Sequence, residues 1–152
     1  MELSKNFTLA EMIKSQTAER KGIDNYPEKE HIENLKLLAE NILQPIRDKF
    51  GAFIVSSGYR SPELCYAIGS NGKTSQHAKG QAADFEVSGI DNYDLARWIE
   101  SNLPFDQLIL ECYKPGDKNS GWVHCSYVHE PRKETLTYQR DTGYQKGLIN
   151  GS

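Results

Sequence analysis

With 152 residues, 38% of them hydrophobic and 26% charged, the chain has the size and composition of one globular domain able to bury its own core. A formal net charge of −3, with basic residues scattered along the sequence, argues against a nucleic-acid binder. No stretch approaches the roughly 20 apolar residues that cross a bilayer, and Met1-Glu2-Leu3-Ser4-Lys5 carries no apolar run, which reads as synthesis in the cytoplasm without a secretory signal peptide.

In chain order, Thr8-Leu9-Ala10-Glu11 has the form of a capping box and predicts a short helix to about Ser15. Pro27 opens a longer helix. Ile32, Leu35, Leu38, Ala39, Ile42, Leu43 and Ile46 recur in it at helical spacing until Phe50-Gly51, and Pro45 is expected to kink or split it. Phe53 to Ser57 reads as a short strand ending at Gly58. Ser61-Pro62 starts another helix, with Ser61 as N-cap. Gly69 to Gly80 reads as an exposed polar loop, Gln81 to Val87 as a strand, and Asp91 to Asn102 as a helix. Phe105 to Cys112 and Trp122 to Val128 are strands around a hairpin loop from Lys114 to Gly121, and the chain from Glu130 onward reads as an irregular polar tail. Helices come first and strands cluster later, which predicts an α+β fold with helices against a mostly antiparallel sheet. The expected organisation is one domain over residues 1–128 and a C-terminal tail over 129–152.

Cys65, Cys112 and Cys125 are odd in number and fall in no Cys-x-x-Cys spacing, so free thiols serving as small apolar residues are expected. Cys125 adjoins His124, but neighbours on a strand point to opposite faces and do not act together. Of the four histidines, His31 lies among Glu28, Lys29, Glu30 and Glu33 and reads as a solvated surface residue, as does His129. His77 lies in the polar loop. Asp84 interrupts an apolar strand, where a carboxylate is costly unless paired or metal-bound. His124 lies within a strand, and taken alone it is better read as a hydrogen-bonded core histidine. Together, two histidines and a carboxylate with one position left for water make the ligand set of a catalytic zinc site, although the long-range spacing alone is unspecific.

Ser75-Gln76-His77-Ala78-Lys79-Gly80-Gln81-Ala82-Ala83-Asp84-Phe85 resembles the Ser-x-His-x-x-Gly-x-Ala-x-Asp signature of the M15 zinc peptidases. Ser57-Gly58-Tyr59-Arg60-Ser61 upstream and Trp122-Val123-His124 downstream resemble two further elements of that family, in the family's order. The resemblance is nearest to the zinc D-Ala-D-Ala carboxypeptidase and phage endolysin-like branch. It implies a hedgehog/DD-peptidase-like fold and one zinc ion per chain on His77, Asp84 and His124. It also implies that Arg60 holds a substrate carboxylate or carbonyl, or the oxyanion. The expected substrate is a stem or cross-link peptide of bacterial peptidoglycan, cut at a D,D or L,D bond. Ser75, Gln76, Tyr59 and Trp122 are candidates for lining the substrate site, and Gly80 for backbone geometry.

The sequence departs from the family at one place. Many relatives carry the general base three residues before the second histidine, and here that position is Gly121. A regular hairpin centred near Asp117 and Lys118 would pair Tyr113 with Trp122 and set Glu111 directly opposite His124, aimed at the metal. Glu111 is therefore the expected base, with Glu86 in reserve and Asp117 and Glu130 behind it. A carboxylate that only orients a histidine ligand is the plainer reading of Glu111, and a one-residue bulge would turn it off the site. Two other functions stand beside hydrolysis: a zinc-retaining, non-catalytic peptidoglycan-binding or phage structural module, and a metal-free structural protein in which the three ligands lie far apart. A monomer is expected, reaching the wall through holin-type release, virion delivery or lysis.

Overall fold

The computed structural model describes residues 1–149. The chain opens with a small hairpin, β1 (Glu2–Ser4) and β2 (Phe7–Thr8). Helix α1 (Leu9–Ile13) begins at the capping box: the Thr8 hydroxyl accepts from the Glu11 amide, and the Glu11 carboxylate accepts from the Thr8 amide. A second short helix, α2 (Gln16–Lys21), follows with Ser15 as N-cap and Gly22 as its left-handed C-cap.

The long periodic segment is one continuous rod of three parts: α3 (Lys29–Leu38), a π-helical turn (Ala39–Leu43) and α4 (Gln44–Phe50). Pro45, expected to kink or split the helix, sits in the first turn of α4. It cannot donate to the carbonyl four residues back, and the wider turn before it lets the Gln44 amide reach Ala39 so that the rod continues. Leu35, Leu38, Ala39, Ile42, Leu43 and Ile46 are all fully buried, and each large one stabilises the fold by about 1.5–3 kcal/mol.

The remaining elements are β3 (Ile54–Ser57), α5 (Pro62–Ala67), a 3-10 turn (Gln76–Lys79), β4 (Ala82–Glu86), α6 (Asn92–Asn102), β5 (Gln107–Glu111), β6 (Trp122–Ser126), β7 (Glu134–Gln139) and β8 (Gly143–Lys146). Strands β3 to β8 form one six-stranded sheet in the order β3-β4-β6-β5-β7-β8. Every pairing is antiparallel except β5 with β7, which is parallel. The α+β expectation therefore holds, but the expected irregular tail does not. After Glu130 the chain adds β7 and β8 to the main sheet. Their side chains alternate poorly between polar and apolar, because little of this part of the sheet is buried on either face.

The pleat divides the sheet into two functional faces. Ala83, Phe85, Leu108, Leu110, Val123 and Cys125 point to the core and pack with the α3–α4 rod and with Leu95, Ala96 and Ile99 of α6. Asp84, His124 and Glu111 point the other way, into a cleft.

Candidate active site

Each side chain of the constellation is delivered by a different local device. His77 sits on the 3-10 turn, whose N-cap Ser75 accepts from the His77 amide. Gly80 ends that turn at φ +73°, and a Cβ there would stand 2.4 Å from the His31 carbonyl oxygen, so only glycine lets the turn pack on α3. The segment from Gly69 to Gly80 is thus not wholly exposed: His77 and Ala78 are buried under the rod. Asp84 and His124 are directly opposed across the β4–β6 ladder and share a face.

One ligand atom from each of His77, Asp84 and His124 falls within a single 4.8 Å cluster. His77 Nδ1 donates to the Gly58 carbonyl oxygen at 2.8 Å, which leaves the Nε2 lone pair free. That Nε2 is buried, has no hydrogen-bond partner and lies 3.4 Å from an Asp84 carboxylate oxygen. Burial holds the His77 imidazole below its ordinary pKa, against the opposing pull of Asp84, and so keeps it neutral. His124 Nδ1 lies 2.9 Å from the other Asp84 oxygen. Burial alone would raise the Asp84 carboxyl, but the hydrogen bond from His124 and the nearness of the His77 ring outweigh it and hold the group ionised well below the usual carboxylate range. A neutral imidazole with an idle buried lone pair, a carboxylate and a second imidazole make a donor set that fits a divalent metal, with zinc the best match to these ligand types.

The cluster opens into a cleft of about 910 Å³ lined by Arg60, Ser75, Gln76, Glu111 and Tyr144 among others. Arg60 lies with one guanidinium nitrogen 3.8 Å from Asp84, while its Nε is buried without a partner. Gln76 donates to Asp106 at 2.9 Å, so its amide is tied to a buried carboxylate.

Glu111 reaches the cleft by a register other than the expected one. The ladder pairs Glu111 with Trp122 and Ile109 with His124, a slip of two residues from the regular hairpin. A slip of two preserves the face, whereas a slip of one would have reversed it. Glu111 therefore still faces the cleft, diagonal to His124, and the Trp122 indole N–H donates to its carboxylate at 2.6 Å. Burial, followed by the charge of Asp84, pushes the Glu111 carboxyl above its ordinary pKa. The slip has a backbone cause. Cys112 turns into the left-handed region at φ 55°, and Gly121 opposite it lies at φ +66°. A Cβ on Gly121 would stand 2.1 Å from the Glu111 carbonyl oxygen and 2.7 Å from the Tyr113 amide. No side chain fits there, so the position three before His124 has no room for a carboxylate in this backbone.

The Peptidase M15 family profile matches residues 5–126. The chain belongs to the M15 peptidase family. A comparison with curated proteins found no match. As an M15 peptidase it is a hydrolase of the metallopeptidase kind acting on a peptide substrate, and among its described residues no helix is long and apolar enough to cross a membrane.

Several sequence expectations land elsewhere in the M15 peptidase. Tyr59, expected at the substrate groove, is 3% exposed and packs in the core with its ring 5.7 Å from His31. His31 is correspondingly half-buried and not a solvated surface residue, because the 3-10 turn covers it. Trp122 does not line the cleft; its indole anchors Glu111 instead. Glu86 is exposed, and neither it nor Asp117 nor Glu130 lines the cleft. Among the cleft residues that escaped sequence reading are Ile109 and Tyr144. The first required the true β5–β6 register. The second required knowing that the polar C-terminal segment joins the sheet.

Proposed function

We propose that the chain is a zinc-dependent peptidase that hydrolyses a bond in the stem or cross-link peptide of bacterial peptidoglycan, with a hedgehog/DD-peptidase-like arrangement of its site. The observation that carries this reading is the 4.8 Å cluster of His77, Asp84 and His124 sharing one cleft with Glu111. In it, His77 Nε2, an Asp84 oxygen and a His124 nitrogen would hold the zinc, which when bound would supply Lewis-acid activation of a water and a peptide carbonyl.

The chain's own residues carry the rest. Glu111 accepts the proton of the attacking water and returns it to the leaving amine nitrogen. Its raised pKa, set by burial and Asp84, suits a base that must also act as an acid near neutral pH. The Trp122 indole holds the carboxylate in place throughout. Arg60 offers a guanidinium fork to a substrate carboxylate or carbonyl, or to the oxyanion. Ser75 and Gln76 line the approach. Gly121 stands where many relatives place their base, and Glu111 supplies that carboxylate from the neighbouring strand.

The test is to measure bound zinc in the purified protein and follow peptidoglycan stem peptides by mass spectrometry, with and without chelator and in Glu111→Gln. Hydrolysis abolished by chelator, and reduced by about 10²–10⁴-fold in Glu111→Gln with zinc retained, is the expected result. Stoichiometric zinc without cleavage of any stem peptide would instead establish a zinc-retaining binding module.

A further inference from the structure

The row of the sheet that contains Glu111 continues past it. Trp122 on β6 pairs with Glu111 on β5, Glu111 with Tyr138 on β7, and Tyr138 with Tyr144 on β8. Directly opposed residues share a face, so one unbroken row runs along the cleft side of four strands. Tyr144 ends the row. Its ring is 61% exposed, yet it lines the cleft together with Glu111, His124 and Arg60. One side of that ring packs against Tyr138, tilted by 50° with the centroids 4.8 Å apart, which restricts its position and lowers the entropic cost to a ligand. The β7–β8 hairpin that supplies it lies wholly beyond residues 5–126, so the part of the chain common to the family does not contain this wall.

The cleft therefore crosses the sheet. Arg60 stands at the β3 side, close to Asp84 on β4, and Tyr144 stands on β8 at the opposite edge. From β6, which carries His124, to β8 is three strand spacings of about 4.8 Å, or roughly 14 Å, and an extended peptide covers about 3.4 Å per residue. A peptide held at the metal cluster and running toward β8 meets the Tyr144 ring only several residues from the bond being cut.

We propose that Tyr144 is a substrate-binding residue that packs its ring on a peptide residue remote from the scissile bond, making the β7–β8 hairpin the element that selects extended peptides over short ones. This rests on the peptidase reading above. An exposed tyrosine already packed on one side at a cleft rim is the kind of rigid aromatic contact that binding sites use. The exposure of the ring means that its removal leaves the core intact.

The experiment compares zinc-loaded wild type, Tyr144→Ala and Tyr144→Phe on a stem peptide that the wild type cleaves, and on the same peptide shortened from each end in turn. Thermal unfolding of all three proteins serves as the folding control. Expected is a KM for the full peptide about five- to tenfold higher in Tyr144→Ala with kcat within about twofold, and near-wild-type behaviour in Tyr144→Phe. Shortening from one end should abolish the difference between Tyr144→Ala and wild type, and shortening from the other should leave it. An unchanged KM in Tyr144→Ala, or a difference that survives shortening from both ends, overturns the proposal. Should the wild type cleave no peptide, calorimetric binding of the same full-length and shortened peptides decides the point separately from catalysis. Weaker binding of the full peptide to Tyr144→Ala, with the same dependence on shortening, supports the contact, and equal or absent binding refutes it.

Discussion

At the scale of single residues, Gly121 and Glu111 answer one another. Gly121 is a left-handed glycine with backbone packed where a Cβ would be, and the proposed base, Glu111, stands on the strand beside it. Gly121→Ala should destabilise the protein by about 1–3 kcal/mol through strain at positive φ and collision with the Glu111 carbonyl, read as a fall in thermal unfolding temperature. Trp122 is the other half of the arrangement. Its indole donates to Glu111 and so favours the ionised carboxylate against the burial that raises its pKa. Removing that donor in Trp122→Phe raises the Glu111 pKa further. Activity that depends on ionised Glu111 rises with pH through that pKa, so the acidic limb of the pH–rate profile should move to higher pH. A profile that stays in place would show that Glu111 is not the group titrating. Both residues are visible in the sequence, but their relation is not, because it depends on a two-residue register and on the φ angles of Cys112 and Gly121.

At the scale of elements, Asp106 joins three segments that sequence reading left separate. It lies just before β5, is 2% exposed, and accepts from the Arg132 backbone amide, the Arg132 guanidinium and the Gln76 side chain. The approach to β7, the start of β5 and the turn carrying His77 are thereby locked together. Burial would raise the Asp106 carboxyl, yet the hydrogen bonds from Arg132 and Gln76 hold it below its ordinary value. A depressed folded-state pKa contributes stability that is present above the unfolded value of about 3.9 and is lost as pH falls through the folded one. Asp106→Asn should therefore cost about 1–3 kcal/mol at neutral pH in urea unfolding, with the Arg132 side heavily discounted for its exposure. The gap to wild type should narrow as the pH is lowered below 4. A gap that is independent of pH would place the effect in packing and not in charge. The capping box at Thr8 and the Ser61 N-cap were readable because each is a local hydrogen bond between residues three apart. The π-turn before Pro45 was not, since continuity of the rod depends on the core it packs against.

At the scale of the whole molecule, the sheet closes around β5. It pairs with β6 on one side and, in parallel, with β7 on the other. Ending the chain after Val128 would strip the second partner from Leu108, Ile109 and Leu110 and leave an apolar strand with an open edge. Such a truncated protein is expected to aggregate or to unfold well below the full chain, measured by size-exclusion chromatography and circular dichroism. A stable, monomeric product with the same unfolding temperature would show that β7 and β8 are dispensable. The pairing of His77 with Asp84 as candidate metal ligands was legible in the sequence, since Ser75 to Phe85 packs both, a turn cap and a glycine into one short local block. The amphipathic rod and the helix caps were legible for the same reason, because period and hydrogen bonding within a few residues determine them. Register across β5 and β6, the burial of Tyr59 and His31, and the entry of the C-terminal hairpin into the sheet were decided only by tertiary structure. They depend on contacts between segments far apart in the chain, for which the sequence carries no local period.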